Sequence, residues 1–138
     1  MKILFSTIAC AVAISSLTLR ADPIDEKQFQ KLMKETGDIA KRMKPGIDGK
    51  DSAQVSKDGA RLEEINKQMV AFWQLKKVEK AVKFSEESAA SAKLVASSAR
   101  EQDWEKVKAS LQGVMKNCKA CHETYREKLD DGSYRIKL

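Results

Sequence analysis

Histidine and cysteine are scarce in this chain: 138 residues hold one histidine, His122, and three cysteines. A single histidine excludes the HExxH pattern of zinc proteases and any bis-histidine site built within one chain. Glycine and proline are nearly as rare, at six and two residues, and neither occurs between Ala60 and Gln112. Nothing in that span breaks a helix. Strand signals are absent as well, and the chain is rich in Ala, Lys, Glu, Leu, Met and Gln, which favour helix. No glycine loop of the phosphate-cradling kind is present, and no internal repeat or low-complexity tract. These absences argue against an enzyme and leave a helical protein whose chemistry is concentrated in few residues.

The first 21 residues, MKILFSTIACAVAISSLTLRA, combine one early lysine with an apolar run broken only by Ser, Thr and Cys, and contain no acid. This is the pattern of a secretory signal peptide cleaved after Ala21, and it is too short and too interrupted for a membrane span. The expected mature chain is therefore exported to the periplasm as a single domain, residues 22–138, of about 117 residues. Without Lys2 and Arg20 the 26 basic residues become 24 against 20 acids, a net charge of +4. That mild excess suits an acidic protein partner or a membrane surface, and equally a solvated surface of mixed charge, whereas export argues against nucleic acid. A core can form at this length without disulfide staples, so the two remaining cysteines, Cys118 and Cys121, are chemical rather than structural.

Apolar spacing of three and four predicts four helices. The first is expected to start at Asp22 as N-cap with Pro23 at its first position, to carry Phe29, Leu32, Thr36, Ile39 and Met43 inward, and to stop near Lys44 before KPGIDGKDS. The second runs from about Ser52 with Val55, Leu62, Ile65, Met69 and Phe72 on one face. The third places Val78, Val82, Ala89, Ala92, Val95 and Ala99 on a stripe of mostly small residues, although FWQLKKVEKAV contains no stop signal to separate it from the second. Asp103 caps the fourth, whose stripe is Trp104, Val107, Leu111, Val114, Cys118, Cys121 and Tyr125, with Gly132 as its expected end. Four such segments predict an all-α, antiparallel four-helix bundle, whose centre is a natural place for a cofactor.

NCKACHETYR, residues 117–126, thus falls on the inward face of the last helix. Cys118 and Cys121 are one turn apart and His122 stands beside them. Cys-x-x-Cys-His is the attachment pattern of c-type haem: two thiols take the two vinyl groups while the imidazole reaches the iron from the same side. Other chemistries use these residues less completely. A structural zinc site wants four ligands and finds three here. A redox disulfide belongs at a helix start after a strand. A non-haem zinc or disulfide module is the alternative these patterns leave.

The run CKACHETYREK near the C-terminus of a short helical chain resembles the cytochrome c prime family, and the first helix, QKLMKETGDIAKRM, is similar to its low-spin, cytochrome c-556-like branch. The resemblance implies one covalently attached haem c per chain, with Cys118 and Cys121 as thioether donors, His122 as axial iron ligand and Met33 as the second axial ligand. It also implies an electron-transfer protein. The gas-binding branch has an apolar residue at the Met33 position and leaves the iron five-coordinate for nitric oxide or carbon monoxide, which is the alternative function. Because His122 is the one histidine, the sixth position falls to methionine, water or nothing. Among the methionines, Met115 belongs to the His122 side, Met43 lies near a helix end, and Met69 is the rival of Met33; taken alone, any of them is core filling more often than a ligand. Arg126 matches a basic position common after the family motif, over the His122 side or near a propionate. Phe29 stands where gas-binding relatives often carry an arginine, leaving Lys31 or Lys34 for a propionate. Lys116 and Lys119 are expected to guide an acidic redox partner, and relatives often dimerise through their first two helices, which makes a homodimer an expectation.

Overall fold

The structure, a computed structural model, describes residues 24–138. The signal-peptide segment and the expected helix start at Asp22 and Pro23 lie outside the described residues. Four helices follow one another: α1 (Glu26–Asp48), α2 (Ser52–Leu75), α3 (Glu79–Arg100) and α4 (Trp104–Tyr125), then two short strands, β1 (Arg126–Lys128) and β2 (Tyr134–Ile136). The expected all-α four-helix bundle is what the chain forms, with a small hairpin appended. No helix among the described residues is long and apolar enough to cross a membrane.

Both expected ends of α1 require correction. Its N-cap is Asp25, whose carboxylate accepts from Gln28 N at 2.7 Å while the Gln28 side chain accepts from Asp25 N at 3.0 Å. This reciprocal capping box satisfies two amides that a helix start otherwise leaves unpaired. At the other end the helix runs through Pro45, whose missing N–H costs one hydrogen bond, to Asp48. Continuing buries Ile47 and brings Gly46 against Val55, where an added Cβ would meet Val55 Cγ2 at 3.0 Å. Burying one such aliphatic side chain contributes about 1.5–3 kcal/mol, enough to offset a lost bond near a helix end.

The three connectors are alike. In Gly49–Asp51, Lys76–Val78 and Glu101–Asp103 the middle residue is left-handed, with φ of +53° at Lys50, +56° at Lys77 and +58° at Gln102. The next amide reaches back five residues in each: Asp51 N to Gly46 O, Val78 N to Trp73 O and Asp103 N to Ser98 O. These are Schellman closures, which satisfy the last carbonyls of a helix and reverse the chain in three residues. The stop between α2 and α3 escapes the sequence pattern because a lysine occupies the position that glycine usually marks.

Among helices that neighbour each other around the bundle, packing is most extensive between α2 and α3 and least between α1 and α4. Small residues explain the first contact: a Cβ on Gly59 would lie 2.7 Å from Ala96 N, so only glycine permits this approach. The inward stripe of α3 begins on Ala81, Ser85 and Ser88 rather than on Val82, which is only half-buried, because small side chains let neighbouring helices come close. The predicted core positions of α2, from Val55 to Phe72, are all buried. α1 is tied to α2 by two bidentate pairs, Arg42 to the buried Asp58 (2.7 and 2.9 Å) and Arg61 to Glu35 (2.6 and 2.9 Å).

The end of α4 also differs from expectation. The helix stops at Tyr125, and Gly132, at φ +82°, sits in the hairpin turn instead of ending the helix. β1 pairs antiparallel with β2, Arg126 opposite Ile136 and Lys128 opposite Tyr134. Ile136 packs on the core, which supplies the apolar anchor that a two-stranded hairpin needs.

Candidate functional site

Where α1 and α4 fail to close on each other, the bundle holds a cavity of about 1090 Å³. Such a space suits a bound group at the upper end of the usual pocket range of about 300–1,000 Å³. Cys118, Cys121 and His122 all line it from α4. Their register explains this: Val107, Ser110, Val114 and Asn117 bury one face of α4 against the bundle, and the motif continues beside that face toward α1.

The thiols are free and half-buried. Burial pushes the Cys121 thiol up to about 11, and burial also raises Cys118, partly offset by hydrogen bonds that include one with Ser88. Burial lowers the His122 value, and the Arg126 guanidinium adds to this, so the imidazole is neutral at pH 7 and its ring nitrogen lone pair is free to ligate. Two protonated thiols one turn apart beside a neutral imidazole, facing one roomy and largely apolar space, fit the attachment of a c-type haem. Among the described residues no cluster of three or more His, Cys, Asp and Glu is placed to hold a metal ion.

The α1 wall carries Met33, Thr36, Gly37 and Ala40. Thr36 turns its hydroxyl back to Leu32 O at 2.8 Å, and a Cβ added at Gly37 would meet nothing within 4 Å. Gln30 and Lys34 line the cavity from α1 as well, and Met33, half-buried beside the low residues, is the one thioether of this wall. Its rivals separate clearly. Met43 is fully buried in the core and does not line the cavity; Met115 is 49% exposed at the rim; Met69 lines the cavity from α2 and is almost fully buried.

Other expectations sort as follows. Phe29 is buried, stacked on Phe72 at 4.4 Å and edge-on to Trp73 at 5.3 Å, and so belongs to the cavity floor. Lys34 lines the cavity and pairs with Asp38 at 3.5 Å, while Lys31 does not line it. Lys119 lines it, paired with Glu123 at 3.8 Å, and Lys116 does not. Arg126 lines it next to His122 and stacks on Tyr134, 4.4 Å from the ring centre.

Three contributions were not legible in the sequence. Gly37 reads as a helix defect there, whereas it keeps a cavity wall flat. Trp73, absent from the expected α2 stripe, meets Tyr125 of the expected α4 stripe with ring centres 5.5 Å apart and closes the floor. The hairpin residues Tyr134 and Ile136 form a further wall; the turn residues of DDGS and the alternation in YRI were the signal for them.

The helical bundle thus turns a Cys-x-x-Cys-His motif into an apolar cavity at the open seam between α1 and α4. The family model described as Cytochrome C' matches residues 73–126, from the end of α2 through the motif to Arg126, so this stretch of the chain is similar to that family. That family binds haem c, and its members point to electron transfer or gas binding. No match to the chain was found among curated proteins or among solved structures.

Proposed function

We propose that the protein is a periplasmic, mono-haem c-type cytochrome that carries electrons, of the low-spin, cytochrome c-556-like kind. The observation that carries this reading is that Met33 of α1 and the motif of α4 line one cavity, with Gly37 and Ala40 keeping the wall beside Met33 low. Haem c, when bound, supplies a one-electron iron couple. Cys118 and Cys121 tether it covalently, one haem per chain. His122 would offer a neutral imidazole to the iron and Met33 a soft thioether, a ligand type that favours the reduced state. Phe29, Trp73 and Tyr125 keep water from the inner edge. Lys119, Arg126 and Lys128 put positive charge at the rim, where an acidic redox partner would be steered. Residues 1–21 act as the export signal, and residues 22–138 form the cytochrome domain.

Optical spectra of oxidised and reduced holoprotein test the proposal. Six-coordinate, low-spin character with a near-infrared methionine-to-iron band is expected, and Met33→Ala should abolish that band. A wild-type spectrum without the band, unchanged by Met33→Ala, would transfer the protein to the five-coordinate, gas-binding reading. Loss of covalent haem in Cys118→Ala and Cys121→Ala checks the attachment separately.

A further inference from the structure

The roles above use single residues of the hairpin that follows the motif and leave its pairing without a purpose. Its two strands place Arg126 opposite Ile136 and Lys128 opposite Tyr134, so Arg126, Lys128, Tyr134 and Ile136 share one face. Ile136 anchors that face to the core, and Lys137 N bonds Tyr125 O at 2.9 Å, extending the ladder to the last residue of α4. The turn is closed by Asp131, which accepts from the Ser133 amide at 2.8 Å and its hydroxyl at 2.6 Å, with Gly132 left-handed between them. On the other face Glu127 pairs with Arg135 at 2.6 Å. The carboxylate nearest to Arg126 in sequence is therefore occupied, and among the described residues no salt bridge involves Arg126. Its partner is the Tyr134 ring, 4.4 Å from the guanidinium carbon. Arg126 is also one helical turn beyond His122, its amide bonded to His122 O, and both side chains line the cavity.

We infer that the C-terminal hairpin is a positioning device, in which Tyr134 holds the Arg126 guanidinium against the cavity on the His122 side. The inference rests on the haem reading proposed above. An exposed arginine has many rotamers, and a ring in cation–π contact at a fixed place on a hydrogen-bonded hairpin restricts them. A positive charge kept there disfavours the more positive, oxidised state of the bound group and raises its reduction potential. Tyr134 thus acts through Arg126.

Reduction potentials of the holoprotein decide the matter. Arg126→Gln should lower the potential, and Tyr134→Ala should lower it in the same direction while Tyr134→Phe, which keeps the ring, stays at the wild-type value. The double variant Arg126→Gln/Tyr134→Ala should lie no lower than Arg126→Gln alone, because Tyr134 has nothing to position once the charge is gone. An unchanged potential in Tyr134→Ala, a loss in Tyr134→Phe equal to that in Tyr134→Ala, or additive shifts in the double variant would each overturn the inference. Far-UV circular dichroism accompanies each variant; Tyr134 is half-exposed outside the bundle, so helix content should not change. If wild-type protein from a strain competent in cytochrome maturation carries no covalent haem, the haem reading itself fails. Covalent haem with flat potentials across the series defeats only the positioning role.

Discussion

Gly37→Ala separates the needs of the helix from those of the site. Gly37 lies inside α1, where glycine costs about 1 kcal/mol relative to alanine. No steric term opposes the change, since the new Cβ would meet nothing within 4 Å. Chain expressed without haem should therefore gain about 1 kcal/mol, or roughly 4 °C in Tm for a domain of this size. The holoprotein should gain less or lose stability, because Gly37 lines the space that the bound group would occupy and the added methyl competes with it. Urea denaturation followed by circular dichroism, run on both forms, gives the two values. Equal gains would refute the claim that Gly37 faces the bound group, and no gain in the haem-free chain would refute the open helical environment from which the estimate is built.

Lys77→Gly should stabilise the protein by about 0.5–1 kcal/mol, by relieving a left-handed lysine at φ +56° while keeping the Schellman closure, as read by the denaturation midpoint. Gly59→Ala should destabilise by about 1–3 kcal/mol in the same assay, because the Cβ meets the Ala96 backbone nitrogen at 2.7 Å and a backbone cannot step aside. The hydrogen bond from Arg61 holds the Glu35 carboxyl below its ordinary value of 4.5. Its contribution is therefore fully present above pH 4.5 and is lost as pH falls through the lower folded-state value. Because Glu35 is 40% exposed, solvent screening keeps the effect below about 1 kcal/mol, and Glu35→Gln should flatten the stability curve in that acidic window.

The parts of this fold that were legible in the sequence are those written in periodic apolar residues. Val55, Leu62, Ile65, Met69 and Phe72 repeat at helical spacing and all are buried. Asp103 announced its helix start by side-chain chemistry, accepting from Lys106 N at 3.1 Å. What escaped was decided by energies the local pattern does not carry. Pro45 reads as a stop, yet Ile47 gains more by burial than the helix loses in one bond near its end. Lys77 and Gln102 take a conformation that side chains disfavour because hydrogen bonds to Gln74 O and Ala99 O hold them there. The hairpin stayed hidden because its strands are three residues each and depend on Ile136 reaching a core built by other elements.

The same contrast runs through the site. Cys118, Cys121 and His122 could be read from spacing alone, because one helix sets their geometry. The cavity could not, since it arises from what α1 and α4 do not do. Close packing at Gly59 draws α2 onto α3, and at Gly113 an added Cβ would lie 2.8 Å from Ser91 Oγ, which shows α4 drawn onto α3 in the same way. With α3 holding both neighbours and α1 fastened to α2 by Arg42 and Arg61, the opening is left between the first and last helices. Met33 and the motif face that opening from sequence positions some ninety residues apart. Their meeting is a property of helix spacing, and on the proposed haem reading substitutions that loosen the α2–α3 contact, Gly59→Ala first among them, should weaken the near-infrared band of the holoprotein without replacing Met33 or His122.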